Sequence, residues 1–459
     1  MLHWLRYLVL LAIPLQVHAQ GTSEWVYDIL RLKNGVMLKG MFVEEGPRGI
    51  RFRLVKRVPG RPTISLMCEF DRSEVASLEK RTDEERAELK AKLAEIDLRP
   101  DDEAKRIESL DLKKVDWLGK KDAGLQYDSD YFSLKSDAPE EIVRRAAYRL
   151  ETVYAAYTRF LPPRIKGGTP VVIHVYQSID GYRKALPSGS QFSNPAYYDP
   201  SSNRVVCGTD LQKIGEDLDR FRQQSANAFT EWKKQEEEIR RLYGKKPELD
   251  RHLQPIRTSR ARLKQIAEAN EAAFDRATQI LFRILYHEVF HAYVGTFVYP
   301  TKSGRAGCPG ELPRWLNEGM AQVFETAIFE AGELRIGHAD KEFLSRAQDA
   351  LRKKELLPLT DLLRSGPKDF IVTHGTDRTE TDRAYITTWA LASYLMFDRH
   401  VLGTESLDNF VRSVNGEKNP VEAFEKLVDQ DIVGFEKAFH GWLGRLRPDG
   451  TAPETVSRP

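Results

Sequence analysis

From Trp25 to Val75 apolar and polar residues alternate in short runs. In "YDILRLKNGVMLKGMFVEEGPRGIRFRLVKR" the alternation breaks at Asn34-Gly35 and Gly46-Pro47, and a further break follows at Pro59-Gly60. A period of two puts successive side chains on opposite faces of a strand, and Asn-Gly suits the left-handed backbone of a tight hairpin. Residues 20–78 therefore predict about five antiparallel strands forming a small β-barrel or curled sheet. The next stretch, residues 79–112, is charge-dense and helix-forming up to Pro100, and reads as a charged helical linker. "YFSLKSDAPEEIVRRAAYRLETVYAAYTRFL" predicts a strand and then an amphipathic helix from near Ser136, and "TPVVIHVYQS" a buried strand.

Beyond Leu211 the period changes to that of long helices. Leu211, Ile214, Leu218 and Phe221 recur at helical spacing, as do Leu253, Ile256, Leu263 and Ile266 after "YGKKPELD". This predicts a helical hairpin over about 209–270, folded back at Gly244 to Pro247 and inserted in a larger domain spanning 113–445. The fold class is α+β: an antiparallel β unit, then a mixed sheet with a largely helical second half. The tail from residue 446 predicts disorder.

Composition narrows the setting. The chain has 459 residues, 41% of them hydrophobic, enough for one large core and a smaller one. Its 70 basic and 68 acidic side chains leave a net charge of +2, which calls for no nucleic-acid partner. Arg6, an apolar run and Val17-His18-Ala19 predict a signal peptide cleaved after Ala19, and hence a secreted or periplasmic protein with no membrane span afterwards. Cys68, Cys207 and Cys308 are too few for a disulfide framework, although a bridge between Cys207 and Cys308 is open to them. Arg51, Arg53 and Arg57 could line one strand face and contact an anionic cell-envelope polymer; a solvated face is the plainer account.

The candidate chemistry is concentrated in "LYHEVFHAYV", residues 285 to 294. Helical spacing puts His287 and His291 on one face, where two imidazoles can share a metal ion, with Glu288 beside the open position as a general base. Ile280 and Ile284 continue the histidine stripe as an expected buried face. A catalytic zinc site needs a third protein donor. Glu318 in "PRWLNEGMAQVFE" supplies it, on a helix striped by Trp315, Leu316, Met320, Val323 and Phe324 and opened by Pro313. His174 reads as a core histidine of its strand. His338, His374 and His400 lack ligand spacing, and Cys308 lies in a Gly/Pro-rich loop.

The pair HEVFH and WLNEGMA resembles the gluzincin zinc metallopeptidases of the peptidase MA-like superfamily, and the N-terminal pattern resembles SH3-like or Sm-like barrels. The gluzincin resemblance implies one Zn²⁺ held by His287, His291 and Glu318, Glu288 as base, and a peptide or protein substrate. It also implies a hydrogen-bond donor for the oxyanion, for which Tyr385 is the candidate, with an aromatic packing residue as the alternative. Glu325, two helical turns past Glu318 on the same face, reads either as a group that orients a ligand histidine or as a surface glutamate. Uncharacterised secreted members have a similar Tyr-led helix and an ending like "AFEKLVDQDIVGFEKAFHGWL". Val294 and Phe297 stand where metzincins need Gly and His, and the GxMEN strand of the aminopeptidase branch is replaced by the charged hairpin. Two rival readings remain: an inactive zinc-containing scaffold, and a metal-free envelope-binding protein.

Overall fold

A computed structural model describes residues 25–33, 35–46, 49–57, 63–96, 110–165, 168–186, 195–208, 211–244, 246–300, 309–330, 333–335, 339–366, 370, 378–416 and 418–453. The signal-peptide segment, Asn34, Cys308, His338, His374 and the last six residues lie outside the described residues.

The alternating N-terminal segment forms five strands: β1 (Asp28–Leu32), β2 (Met37–Gly46), β3 (Gly49–Lys56), β4 (Ile64–Phe70) and β5 (Val75–Glu79). They pair antiparallel in the order β4-β3-β2-β1-β5. Gly35, with φ +84°, sits in the turn where Asn-Gly predicted one. The sheet is open, with β4 and β5 as its two edges, so of the barrel and the curled sheet that the pattern allowed it is the open sheet that forms. The edge of β4 lies instead beside a later short strand, Glu333–Arg335. Asp28 is fully buried, and its carboxylate accepts the N–H groups of Phe42 and Arg81, each at 2.7 Å. Helix α1 (Asp83–Ile96), from the charged segment, buries Leu89 and Leu93 against Val55.

The second sheet contains β6 (Lys113–Trp117), β7 (Lys120–Asp128), β8 (Phe132–Ser136), β9 (Val171–Tyr176), β10 (Ala196–Asp199) and β11 (Arg204–Gly208), in the order β10-β11-β9-β8-β7-β6. Strands β8, β9 and β11 run parallel and the other pairings are antiparallel. A parallel pair needs a crossover. Helix α2 (Glu140–Phe160) supplies it between β8 and β9, burying Val143, Ala147, Leu150 and Tyr154. It starts four residues later than the pattern implied, because Ser136 ends β8 and its hydroxyl donates to the Val175 carbonyl at 2.6 Å. The first sheet joins the same core: Leu30, Phe52 and Phe70 belong with Tyr127, Tyr154 and Phe290. Arg159 lies 3.9 Å over the Phe70 ring across that junction.

After the short α3 (Ile179–Ala185), α4 (Leu211–Tyr243) and α5 (Leu249–Tyr293) form the hairpin. The buried or partly buried positions Leu253, Ile256, Arg260, Leu263 and Ala267 follow one another at spacings of three and four, the seam of a coiled coil. Arg260 reaches across to Glu236 at 2.6 Å. Ile266 falls beside this seam and is 41% exposed. The returning helix continues without a break into HEVFH. Ile280 is 61% exposed, so the expected buried stripe is corrected. Leu281, Leu285, Val289 and Phe290 turn to the core, and Ile284, partly buried, packs against it, so the correction concerns Ile280 alone. A π turn (Val294–Val298) ends the helix.

The remaining chain is mainly helical: α6 (Arg314–Glu325), the hairpin β12 (Ile328–Glu330) and β13 (Glu333–Arg335), α7 (Lys341–Lys353), α8 (Leu359–Arg364), α9 (Arg378–Phe397), α10 (Glu405–Asn415), α11 (Pro420–Val428) and α12 (Ile432–Arg445). The architecture is α+β. Among the described residues no helix is long and apolar enough to cross a membrane. Helix α6 lies between α5 and α9. Trp315, Leu316, Met320 and Phe324 fill its buried face, and Gly319 lets α9 come close. A Cβ there would stand 2.5 Å from the Thr388 carbonyl oxygen and 2.9 Å from the Ala392 methyl. Backbone cannot yield as a flexible side chain can, so Gly319→Ala is expected to destabilise the protein by roughly 1–3 kcal/mol. Urea unfolding measures this; a variant as stable as the parent would show that α9 moves away freely.

Candidate metal centre

Helix α5 presents His287 and His291 one turn apart, with ring centroids 4.8 Å from each other and planes at 82°. Helix α6 is pressed against it by Phe324, which stacks on Phe290 at 5.2 Å and meets Tyr157 edge-on at 4.7 Å. That packing delivers Glu318, almost fully buried, to the histidine pair. Its carboxylate oxygens lie 3.3 Å from His287 Nε2 and 3.5 Å from His291 Nε2. One donor atom from each of the three residues falls within 4.8 Å of the others.

The far side of each imidazole is also held. His287 Nδ1 is 3.0 Å from Glu325 Oε2, and His291 Nδ1 is 3.0 Å from Asn317 Oδ1. With Nδ1–H donated outward to an acceptor, each Nε2 is left to face Glu318. The donor set fits a tetrahedral divalent metal. Bonds of about 2.0–2.1 Å at tetrahedral angles set neighbouring donors roughly 3.3–3.5 Å apart, the separation that His287 Nε2 keeps from Glu318 Oε2 and His291 Nε2 from Glu318 Oε1. Two nitrogens and one carboxylate are also the set that leaves a fourth position for water or substrate.

The charges are strongly interdependent. Burial would raise the Glu318 carboxyl, but His291, His287 and Arg314 outweigh it and hold it down at about 2. For His287, burial opposes the charge, yet hydrogen bonds with Glu318 and Glu325 carry it well above its ordinary value. Burial pulls His291 down to about 4. The metal-free site therefore holds a proton on His287 between two carboxylates, and a cation entering among the donors would displace it. Glu288 is pushed up to about 7, chiefly by burial. One of its oxygens accepts the backbone N–H of Tyr198, on edge strand β10, at 2.8 Å.

Of the residues singled out in the sequence, His287, Glu288, His291, Glu318 and Glu325 come together. Tyr385 is the outlier. It opens toward the same region, where Glu318, Glu288 and Glu325 add to burial in raising its pKa, but its hydroxyl donates to the Phe370 carbonyl at 3.1 Å. His174 stays in β9 beside Trp117 at 5.3 Å, where burial, Arg204 and Lys135 lower it to about 4. Cys207 is buried in β11. The three arginines take separate positions: Arg51 pairs with Glu44, Arg53 is buried on Ser65 at 2.7 Å, and Arg57 lies 5.0 Å over Trp25.

Three participants went unrecognised in the sequence: Asn317, Tyr198 and Arg314. Asn317 precedes Glu318 in the WLNEG string, and Arg314 is one helical turn before it; both spacings were readable. Arg314 Nη2 bonds Glu318 Oε1 at 2.6 Å. The backbone contact of Tyr198 leaves no mark in a sequence.

A family model described as "Protein of unknown function (DUF1570)" matches residues 300–422. That span includes Glu318, Glu325 and Tyr385 and begins after His291. No curated protein and no solved structure matches the chain.

The elevated Glu288 pKa fixes the sign of a pH effect. Its ordinary value is 4.5 and its folded value about 7. The folded metal-free protein thus keeps a proton that the unfolded chain releases, and stability falls as pH rises through that interval. Glu288→Gln removes this loss. In the presence of a chelator the variant is expected to match the parent near pH ~4 and exceed it by on the order of 1–3 kcal/mol near pH ~8. Urea unfolding at both pH values checks it; no gain at the higher pH contradicts the assignment.

Proposed function

We propose that the protein is an exported zinc-dependent peptidase of gluzincin type. The observation that carries this reading is the convergence of His287 Nε2 and His291 Nε2 on the Glu318 carboxylate, at 3.3 and 3.5 Å, with both Nδ1 atoms tied off behind them. A structural zinc site would close its coordination with four protein ligands and would have no use for Glu288.

His287, His291 and Glu318 would hold the ion, which supplies a Lewis acid that polarises the scissile carbonyl and makes water acidic near neutral pH. Glu288 takes the proton of the attacking water and delivers it to the departing amine. The Tyr198 N–H fixes which way that carboxylate points. Glu325 and Asn317 keep the imidazoles turned so that Nε2 faces the reaction. For Tyr385 to stabilise the oxyanion its hydroxyl must leave the Phe370 carbonyl, so its contribution requires a rotation when substrate binds.

Zinc content and hydrolysis of a mixed peptide library test the assignment together. The mature chain is expected to hold close to one zinc, and His291→Ala and Glu318→Ala to hold much less. Glu288→Gln should keep its zinc and lose hydrolysis by at least about 10²-fold, the usual scale for a general base. Undiminished turnover in Glu288→Gln, or a parent that takes up no zinc, refutes the proposal. For the supporting acceptors, Asn317→Ala and Glu325→Ala are each expected to weaken zinc binding by about ten- to a hundredfold, as read by competition with a chromophoric chelator.

A further inference from the structure

We propose that Arg314 makes this site a carboxypeptidase, by binding the free α-carboxylate of a peptide whose last bond lies against His287, His291 and Glu318. The inference rests on the peptidase reading and deepens it to a substrate class.

Arg314 is in the first turn of α6, and its Nη2 bonds Glu318 Oε1 at 2.6 Å, so it is one carboxylate away from both imidazole Nε2 atoms. Its side chain is nevertheless 43% exposed. Its charge is felt by Glu288 and His291 on α5 and by Tyr385 on α9, which places it among the groups lining the site. A guanidinium has five N–H donors in a planar fork, and the Glu318 contact occupies one edge at most. With 43% of the side chain exposed, the remaining donors are open to a ligand.

A cation here carries an electrostatic cost. It opposes the entry of a divalent ion among the three donors, because like charges at this distance repel. A neutral donor could orient Glu318 without that repulsion. The positive charge becomes useful when the ligand brings a negative one, and a carboxylate is the anion whose two oxygens match the guanidinium fork.

Reach then selects the substrate. A cation bound through Glu318 and a guanidinium bonded to the same carboxylate lie on the order of 5 Å apart. One residue of extended chain spans about 3.3–3.6 Å. With the scissile carbonyl at the three donors, a one-residue leaving group carries its terminal carboxylate to Arg314, whereas longer leaving groups carry it past. The reaction removes a single C-terminal residue. The water oxygen bonds to the carbonyl carbon, the C–N bond breaks, one product gains a new carboxylate, and the amino acid leaves with the proton that Glu288 passes to its nitrogen.

The test is a binding comparison on the zinc-loaded mature chain carrying Glu288→Gln, so that ligand is retained. An N-acetylated dipeptide with a free carboxylate and its C-terminal amide are titrated by calorimetry. The acid is expected to bind roughly ten- to a hundredfold more tightly, the scale of a charge-assisted bidentate contact, and the preference is expected to vanish on adding Arg314→Gln. Zinc content is measured on every sample. Equal binding of acid and amide by the arginine-containing protein overturns the proposal whatever the variant does, and so does a preference that survives Arg314→Gln. Should Arg314→Gln shed zinc, Arg314→Lys is used in its place, because it keeps a charge without the fork; the preference must then fall below that of the arginine protein. A parent that binds no zinc defeats the peptidase reading itself, whereas zinc with no acid preference defeats only this one.

Discussion

Everything proposed for this protein depends on how closely α6 is held against α5. Glu318 and the histidines come from different helices, and a carboxylate displaced by an ångström or two would no longer meet the imidazole nitrogens. The contact is set by flat, apolar surfaces. Phe324 stacks on Phe290 on one side, and Gly319 admits the backbone of α9 on the other. Close-packed interiors transmit small shifts instead of absorbing them. The polar donors are therefore positioned by residues with no polar chemistry of their own.

That scaffold also makes the polar cluster costly. Two imidazoles and a carboxylate with little access to water must be satisfied by one another or by a bound cation. In the metal-free protein the solution is a proton: His287 is held well above its ordinary pKa by Glu318 and Glu325 while burial keeps His291 neutral. The coiled-coil arm adds length to α5 and so braces the helix that carries both histidines, while β10 presents the backbone N–H that orients Glu288. The sheet, the arm and the helical half of the chain each fix a different atom of one site.

Much of this was legible in the residues. Alternation with Asn-Gly and Pro-Gly breaks revealed the N-terminal strands, and the fold-back of the arm could be placed because "YGKKPELD" interrupts two helical runs. His287, His291 and Glu318 were found because HEVFH and WLNEG specify donors by spacing along a helix. Less was legible wherever the outcome depended on which elements meet. Closure of the first sheet is decided at its edges, and alternation says nothing about edges. Ile280 shares the histidine stripe but is exposed, since it lies seven residues before His287, where the stripe has not yet reached the core. Arg314 was visible one turn before Glu318 and was passed over, because an i, i+4 pair on a helix is ordinarily a surface contact of little worth.

The most direct measurement is X-ray absorption at the zinc edge on the purified protein. The expected spectrum shows a four-coordinate light-atom shell near about 2.0–2.1 Å, with the outer scattering of two imidazoles and no sulfur. A zinc–sulfur shell near about 2.3 Å, scattering from one imidazole or none, or a protein that holds no zinc would contradict a centre built from His287, His291 and Glu318.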